Sequence, residues 1–226
     1  MVFNNQKKGL ENVTDYHRDL DISEAISTTS YSQDGTTFKR ETFSSYPDDV
    51  TVTHLIKKGD KILDFTLWNS LTKDLIANGE YSMEESNFKE GSINVDTNGI
   101  LLKGSVKDNG LQFASYLGVK TDGQVTAQDG YLTVTGARYA TLLLSAKTNF
   151  AQNPKTNYRK DIDVENTVKS IVEAAKAKDY ETLKNNHIKD YQSLFNRVQL
   201  NLGGNKSSQT TKEALLTYNP EKGQKL

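Results

Sequence analysis

Three histidines, His17, His54 and His187, are the only side chains of the sequence that ordinarily titrate near neutral pH. A nucleophilic mechanism would need a serine or cysteine beside such a base, and a further group to orient the base. The sequence has no cysteine and no Gly-x-Ser-x-Gly motif. His54 falls on the apolar face of a predicted strand, which favours a core or cross-strand histidine. His187 falls on the apolar stripe of a predicted helix near Asp190 and Tyr191, which favours packing plus a hydrogen bond.

Acidic residues are the other groups that could do chemistry, because glycoside hydrolysis uses two carboxyl groups, one of them kept protonated by burial. The sequence has 29 aspartates and glutamates, most of them in turns or beside lysines. Glu41 and Asp64 lie within predicted strands and are the strongest candidates, but the sequence does not pair them. Trp68 is the only tryptophan and could stack on a sugar ring. Its place at the end of an alternating strand favours core or edge packing.

The sequence predicts no catalytic residue, no metal site and no cofactor site. His187 with Asp190 three residues later is at most half a metal site. The aspartates of the Asp-Gly pairs do not belong to a twelve-residue calcium loop with alternating oxygen ligands. The glycines lie in predicted hairpin turns and not in a loop that leads into a helix and cradles phosphate.

Composition narrows the classes of partner. Lys and Arg number 28 against 29 Asp and Glu, so the net charge of −1 argues against nucleic acid and anionic membranes as partners. No segment has the 18 or so consecutive apolar residues of a membrane span, and the first residues lack the features of a signal peptide. Asn12 and Asn205 begin glycosylation sequons, which are expected to be chance matches.

Residues 1–150 are predicted to form an antiparallel β-sandwich, so the fold class is mainly β. Apolar and polar residues alternate with period two, as along Val50 to Ile56 and Leu63 to Leu67. Asn-Gly and Asp-Gly pairs separate the strands, because both residue types tolerate the positive φ of two-residue turns. These pairs are Asp34-Gly35, Asn78-Gly79, Asn98-Gly99, Asn109-Gly110, Asp122-Gly123 and Asp129-Gly130. The poorly patterned residues 69–92 are predicted to be a long loop, with room for one short strand.

Residues 151–202 are predicted to form a helical linker. A polar stretch with Pro154 leads into apolar residues at helical spacing from Val164 to Ala175, and a second such stripe follows Asp179, a plausible N-cap. The sequence RVQLNL, residues 197–202, predicts a return strand. Residues 203–226 are predicted to be a flexible tail.

Two segments resemble the α-L-fucosidases of glycoside hydrolase family 95. The first is YHRDLDISEAISTTSYSQDGTTFKRETFSSYPDDV, residues 16–50, and the second is HIKDYQSLFNRVQLNLG, residues 187–203. GYLTVTGARYATLLLSAKTNF also resembles late strands of that family's N-terminal domain. The matching positions are Tyr16, Arg18, Leu20, Asp21, Ala25, Tyr31, Gly35, Arg40, Glu41, Phe43, Ser45, Pro47, Asp48, Val50, His187, Asp190, Tyr191, Leu194, Phe195, Arg197 and Val198, while Ile22 replaces a leucine of the pattern.

The resemblance implies a large, inverting fucosidase with an N-terminal β-sandwich, a helical linker, an (α/α)6 barrel and a C-terminal β domain. In that family the catalytic acid and the Asn and Asp residues that activate water belong to the barrel, so no catalytic position is transferred to this chain. The chain is expected to lack the strands that precede Val2-Phe3 in the family, and the barrel. The expected partners are that barrel and, through it, fucosylated glycans, in an extracellular or cell-surface enzyme. Alone, the chain is expected to self-associate or to have mobile helices.

Two alternatives stay open from the sequence. A stand-alone carbohydrate-binding β-sandwich is compatible with aromatic residues at strand positions, although the tyrosines are scattered. The same domain could also belong to a related enzyme, such as an α-L-galactosidase of the same family or a sandwich-plus-barrel phosphorylase.

Overall fold

A computed structural model describes residues 1–3, 12–60, 62–77, 80–83, 88–200 and 210–218. Its strands, in chain order, are β1 (Val2–Phe3), β2 (Val13–Asp21), β3 (Ile26–Gln33), β4 (Thr36–Ser45), β5 (Val50–Lys58), β6 (Leu63–Leu67), β7 (Thr72–Ala77), β8 (Glu80–Met83), β9 (Lys89–Asp96), β10 (Gly99–Val106), β11 (Gln112–Thr121), β12 (Gln124–Gln128), β13 (Tyr131–Ala137) and β14 (Tyr139–Thr148). Its α-helices are α1 (Val164–Lys176), α2 (Tyr180–Phe195) and α3 (Thr211–Thr217).

The strands form a sandwich of two antiparallel sheets, which confirms the predicted fold class. The small sheet has the order β1-β6-β13-β12, and the large sheet has the order β2-β3-β4-β5-β14-β11-β10-β9-β8-β7. Alternate residues of both sheets point between them and form one apolar core, because period-two patterning places every second side chain on the same face. The fully buried members include Phe65, Leu132 and Val134 of the small sheet and Ile93 of the large sheet.

Two of the predicted Asp-Gly turns have the backbone that their sequence requires. Asp34 and Gly35 join β3 to β4 with φ of 46° and 77°, and Asp129 and Gly130 join β12 to β13 with φ of 52° and 78°. Two successive residues with positive φ match the right-handed twist of the flanking strands. These turns fix the pairing register of both hairpins, for example Tyr31 with Phe38.

The prediction of a long loop over residues 69–92 is wrong. The described part of this segment contains β7, β8 and the start of β9, which complete one edge of the large sheet. Register shifts between Thr72 and Leu75 and between Leu75 and Ala77 interrupt the alternation, because a bulge adds a residue to one strand only. Tyr81 nevertheless points into the core and is buried.

Helices α1 and α2 pack on the face of the large sheet that points away from the small sheet. Asp163 caps α1 by accepting from the Asn166 backbone N–H at 3.0 Å, and its inner face buries Val164, Val168, Val172 and Ala175. Asp179 accepts from the Thr182 N–H at 2.6 Å at the start of α2, as predicted. Strands and helices up to Leu194 form one compact unit, Met1–Leu194.

Residues Phe195–Leu226 form a second unit by their contacts. Residues 197–200 are not strand, so the predicted return strand is absent from its described part, and residues 201–202 lie outside the described residues. The structure also differs from the predicted flexible tail at α3, whose start carries a capping box: the Glu213 N–H donates to Thr210, and the Glu213 carboxylate accepts from the Thr210 N–H at 2.7 Å. The rest of that tail and Asn205 lie outside the described residues.

Within the described ranges, no helix is long and apolar enough to span a bilayer.

Candidate functional site

Three of the residues singled out by the sequence meet where the large sheet contacts α2. Glu41 on β4 is the cross-strand neighbour of His54 on β5, and His187 of α2 packs on Phe43, two residues from Glu41. Asp64 lies on β6 of the small sheet, where its carboxylate accepts from the Gly136 N–H at 2.7 Å. The two carboxylates that the sequence could not pair therefore belong to different sheets.

Glu41 is held by three donors on the sheet–helix contact. Its carboxylate accepts from the Tyr180 hydroxyl at 2.6 Å, from Lys184 Nζ at 3.1 Å and from Lys39 Nζ at 3.2 Å. Burial raises the pKa of Glu41, but the hydrogen bonds from Tyr180, Lys184 and Lys39 outweigh it and leave the pKa below its ordinary value. A catalytic acid needs the opposite shift, because it must keep its proton at neutral pH.

His54 is a buried, neutral partner of the same contact. Its Nδ1 lies 2.8 Å from the Thr141 hydroxyl of β14, and its ring stacks on Tyr180 with centroids 3.8 Å apart. Burial lowers the pKa of His54 to about 4, with the Glu41 carboxylate opposing that shift. Burial, together with the hydrogen bond to Glu41, raises the pKa of the Tyr180 hydroxyl. His54 is therefore neutral near pH 7, and it is the cross-strand histidine that was predicted.

The next contact joins α2 to the loop between β2 and β3. His187 donates from Nε2 to the Glu24 carbonyl at 2.9 Å, Tyr191 donates to the Ile22 carbonyl at 2.7 Å, and Gln192 donates to the Ser23 carbonyl at 3.1 Å. Three side chains of one helix therefore bind three consecutive carbonyls. His187 makes the packing and hydrogen bond that the sequence indicated, with a backbone acceptor that the sequence could not show.

Hydrogen bonds within the loop between β2 and β3 also determine its conformation. One Asp21 oxygen accepts from the Ser23 N–H at 2.8 Å, the Ser23 hydroxyl at 2.6 Å and the Glu24 N–H at 3.2 Å, and Ala25 takes a left-handed φ of 53°. The Ser23 hydrogen bonds lower the pKa of Asp21, so it is ionised at neutral pH. This arrangement turns the carbonyls of the loop toward α2.

Asp48 forms a further anchor, at the turn between β4 and β5. Its side chain is 1% exposed and accepts from Lys178, from the Ser45 hydroxyl at 2.7 Å and from the Asn186 amide at 3.3 Å. Burial raises the pKa of Asp48, but hydrogen bonds from Lys178, Ser45 and Asn186 bring the pKa below its ordinary value. Lys178 lies in the connection between α1 and α2, and Asn186 lies on α2. The turn between β4 and β5 is therefore bound to that connection and to α2.

The α1–α2 connection is tied to the sheet by one more residue, Lys120 of β11. Its ammonium donates to the Lys176 carbonyl at 2.8 Å and to the Lys178 carbonyl at 2.7 Å. These are carbonyls at the end of α1, where cationic groups are favoured.

We refer to these contacts together as the sheet–helix contact. Its members are Asp21, Ser23, Glu24, Glu41, Phe43, Ser45, Asp48, His54, Lys120, Lys178, Tyr180, Lys184, Asn186, His187, Tyr191 and Gln192. The carboxylates of Asp21, Glu41 and Asp48 are bound by donors that lower their pKa. The described residues contain no group of three or more His, Asp or Glu able to hold a metal ion. Such a site fixes two helices on a sheet.

Several of the positions that resemble α-L-fucosidases meet at this contact. Glu41, Phe43 and Asp48 come from the first resembling segment, and His187 and Tyr191 come from the second, more than a hundred residues later. The two resembling segments therefore contact each other where the large sheet meets α2.

Comparison with known proteins places the chain in a family. Residues 4–153 match the family described as "Glycosyl hydrolase family 65, N-terminal domain". The chain belongs to this family.

Two curated relatives match over most of the chain. "Alpha-L-fucosidase 2" of Arabidopsis thaliana is 31% identical over 214 residues, which are 89% of this chain and 25% of that protein. "Probable alpha-fucosidase A" of Aspergillus niger is 27% identical over 222 residues, which are 92% of this chain and 26% of that protein. The chain thus spans about a quarter of the length of these relatives, and the resemblance to α-L-fucosidases is confirmed.

Proposed function

We propose that this chain is the non-catalytic N-terminal β-sandwich of a multidomain α-L-fucosidase, and that it supports a catalytic barrel through helices α1 and α2. The observation that carries the proposal is the convergence of the two fucosidase-like segments on the sheet–helix contact. Glu41, His54 and His187, the residues best suited to chemistry, are used there as structural anchors. The matching family is described as an N-terminal domain, and both relatives are named as fucosidases. Both findings support the same function.

The surface next to this contact has the exposed apolar residues that a partner domain would cover. Leu20 and Ile22, at the end of β2 and the start of the loop held by α2, are 61% and 66% exposed, and Tyr46, in the turn anchored by Asp48, is 85% exposed. Exposed apolar side chains beside rigidly held backbone are typical of a domain interface. In the absence of the barrel, the same surface would drive self-association of the chain.

The activity of the whole protein would then be the hydrolysis of fucosylated glycans by the barrel. We propose that the enzyme acts outside the cell or at its surface, because oligosaccharide substrates of that kind are expected there. Fractionation of the source cells would test this. The related α-L-galactosidase and phosphorylase activities would differ from it in the barrel and not in this domain.

The decisive assay compares this chain with the longer enzyme that contains it, on a fucosylated oligosaccharide such as 2′-fucosyllactose. We expect fucose release by the longer enzyme and none by this chain above the uncatalysed rate. Release by this chain, abolished in Glu41→Gln but unaffected in the exposed control Glu173→Gln, would show that the chemistry is here and would overturn the proposal.

A further inference from the structure

The outer face of the small sheet carries a set of polar and aromatic side chains that the sheet–helix contact does not use. Inward residues of these strands, such as Phe65, Leu132 and Val134, fill the core. The pairing register places the outward residues in three adjacent rows. The rows are Gln124, Thr126 and Gln128 on β12, Thr135, Thr133 and Tyr131 on β13, and Asp64 and Thr66 on β6, with Trp68 directly after it.

Two aromatic rings form a corner at one end of this face. Trp68 is 39% exposed and Tyr131 is 48% exposed, with ring centroids 6.1 Å apart and planes inclined at 56°. Rings in contact at this inclination each leave part of an apolar face exposed, on which one small ring can stack. A pyranose suits such a corner, since one of its faces is lined by C–H groups while its rim carries hydroxyls.

The remaining side chains of the face are almost uncharged. The Thr66 and Thr133 hydroxyls lie 3.3 Å apart, and Gln128 is directly opposite Tyr131 on the neighbouring strand. Asp64 is the one charged residue of the nine, and one of its oxygens is occupied by the Gly136 N–H. Because the nine positions include neither lysine nor arginine, the face suits a neutral ligand with hydroxyl groups and not a phosphate or another anion.

Helices α1 and α2 do not cover the outer face of the small sheet. Helices α1 and α2 pack on the large sheet, whose other side covers the small sheet, so the outer face of the small sheet lies two layers away from α1. A ligand bound there would not displace the sheet–helix contact.

We propose that the outer face of the small sheet binds a neutral glycan, with Trp68 and Tyr131 stacking on one pyranose. Gln128, Thr66 and Thr133 supply hydrogen bonds to its hydroxyls and to those of the next sugar. This is a binding activity of the domain itself, in which no bond is made or broken. It stands independently of the proposed fucosidase function, because it does not require the barrel.

The test is a titration of the isotopically labelled chain, followed by NMR, with 2′-fucosyllactose and separately with cellohexaose. We expect saturable shifts at Thr66, Gln128 and Thr133 with at least one of these probes, and a Kd on the order of 1 mM, since one stacked sugar and a few hydrogen bonds give weak binding. Trp68→Ala is expected to weaken binding by about tenfold, equivalent to about 1.4 kcal/mol.

The exposed stacked pair Phe150 and Tyr158, with centroids 6.3 Å apart, supplies a matched control. Tyr158→Ala should leave the titration unchanged. Because Trp68→Ala could also loosen the sheet, Gln128→Ala, at an exposed position, is the second variant and should weaken binding about threefold with an unchanged melting temperature. Failure of both probes to cause saturable shifts, or shifts that persist undiminished in Trp68→Ala, would overturn the proposal.

Discussion

At the scale of single residues, environment decides what Glu41 and His54 can do. Glu41 is 8% exposed, yet three donors keep it ionised, whereas His54, also nearly buried, is hydrogen-bonded to the uncharged Thr141 hydroxyl and stays neutral. A hydrogen-bonded charge can remain in a protein interior, while an unpaired one loses or gains a proton. Neighbouring residues on paired strands therefore have opposite protonation behaviour without either being catalytic.

The pKa of His54 makes a prediction about acid sensitivity. Its pKa is 6.5 when unperturbed and about 4 in the fold, so below pH 6.5 the unfolded chain binds a proton that the folded chain does not. The free energy of unfolding must then fall as the pH is lowered, by about 2 kcal/mol from this group between about pH 7 and pH 5. Urea denaturation at a series of pH values measures it.

The variant His54→Asn separates this contribution from the rest. It can keep a hydrogen bond to Thr141 and does not titrate, so its stability should depend less steeply on pH over the same window. His17→Asn, at a side chain that is 70% exposed, is the control and should keep the slope of the unmodified chain. Equal slopes for His54→Asn and the unmodified chain would show that His54 is not the group responsible.

At the scale of elements, α2 holds the loop between β2 and β3 by its carbonyls. Tyr191, His187 and Gln192 bind the carbonyls of three consecutive loop residues, and the left-handed Ala25 returns the chain to β3. A loop held at three successive acceptors should open less readily than its exposure alone would indicate.

Tyr191→Phe tests this hold, because it removes the hydroxyl that donates to the Ile22 carbonyl and keeps the ring. We expect faster amide hydrogen exchange across residues 19–25 and a loss of about 1 kcal/mol in the free energy of unfolding. Tyr131→Phe, on the other side of the sandwich, should change neither quantity. Unaltered exchange in Tyr191→Phe would mean that the Tyr191 hydrogen bond does not contribute to the order of the loop.

The sequence predicts the regular parts of these elements and not the contacts between them. Period-two alternation and the turn Asp34-Gly35 determine strands and register, and apolar spacing from Val164 to Ala175 determines α1. The bulged strands β7 and β8 were not predicted, because a shifted register breaks the period of two on which the prediction of strands depends. The short helix α3 carried a readable signal, the Thr210–Glu213 capping box.

The sheet–helix contact was only partly accessible from the sequence. His54 and His187 lie on apolar faces, which correctly indicated burial. The acceptors of His187 and Tyr191 are backbone carbonyls. Every residue has a backbone carbonyl, so the residue type does not indicate which one is bound. The bond from Tyr180 to Glu41 joins positions 139 residues apart, so local pattern could not pair them.

At the scale of the whole molecule, the two sides of the unit Met1–Leu194 differ in character. One side presents helices locked on a sheet by ionised carboxylates, beside the exposed apolar residues Leu20, Ile22 and Tyr46. The other presents the outer face of the small sheet, with Trp68, Tyr131 and a single acidic residue, Asp64. We infer a domain that supports a barrel on the first side and binds glycan on the second.

Whether Glu41 serves structure and not chemistry is tested by Glu41→Gln in the longer enzyme that we propose contains this chain, with stability and kinetics measured on the same preparation. We expect the free energy of unfolding of this domain to fall by about 2 kcal/mol, because the Tyr180, Lys184 and Lys39 donors lose a charged acceptor. We expect kcat/KM to stay within about twofold of that of the unmodified enzyme. The exposed control Glu173→Gln, whose nearest cation is Lys176 at 3.8 Å, should change both quantities little. A fall of about a thousandfold or more in kcat with unchanged stability would contradict the account, since it would make Glu41 part of the chemistry.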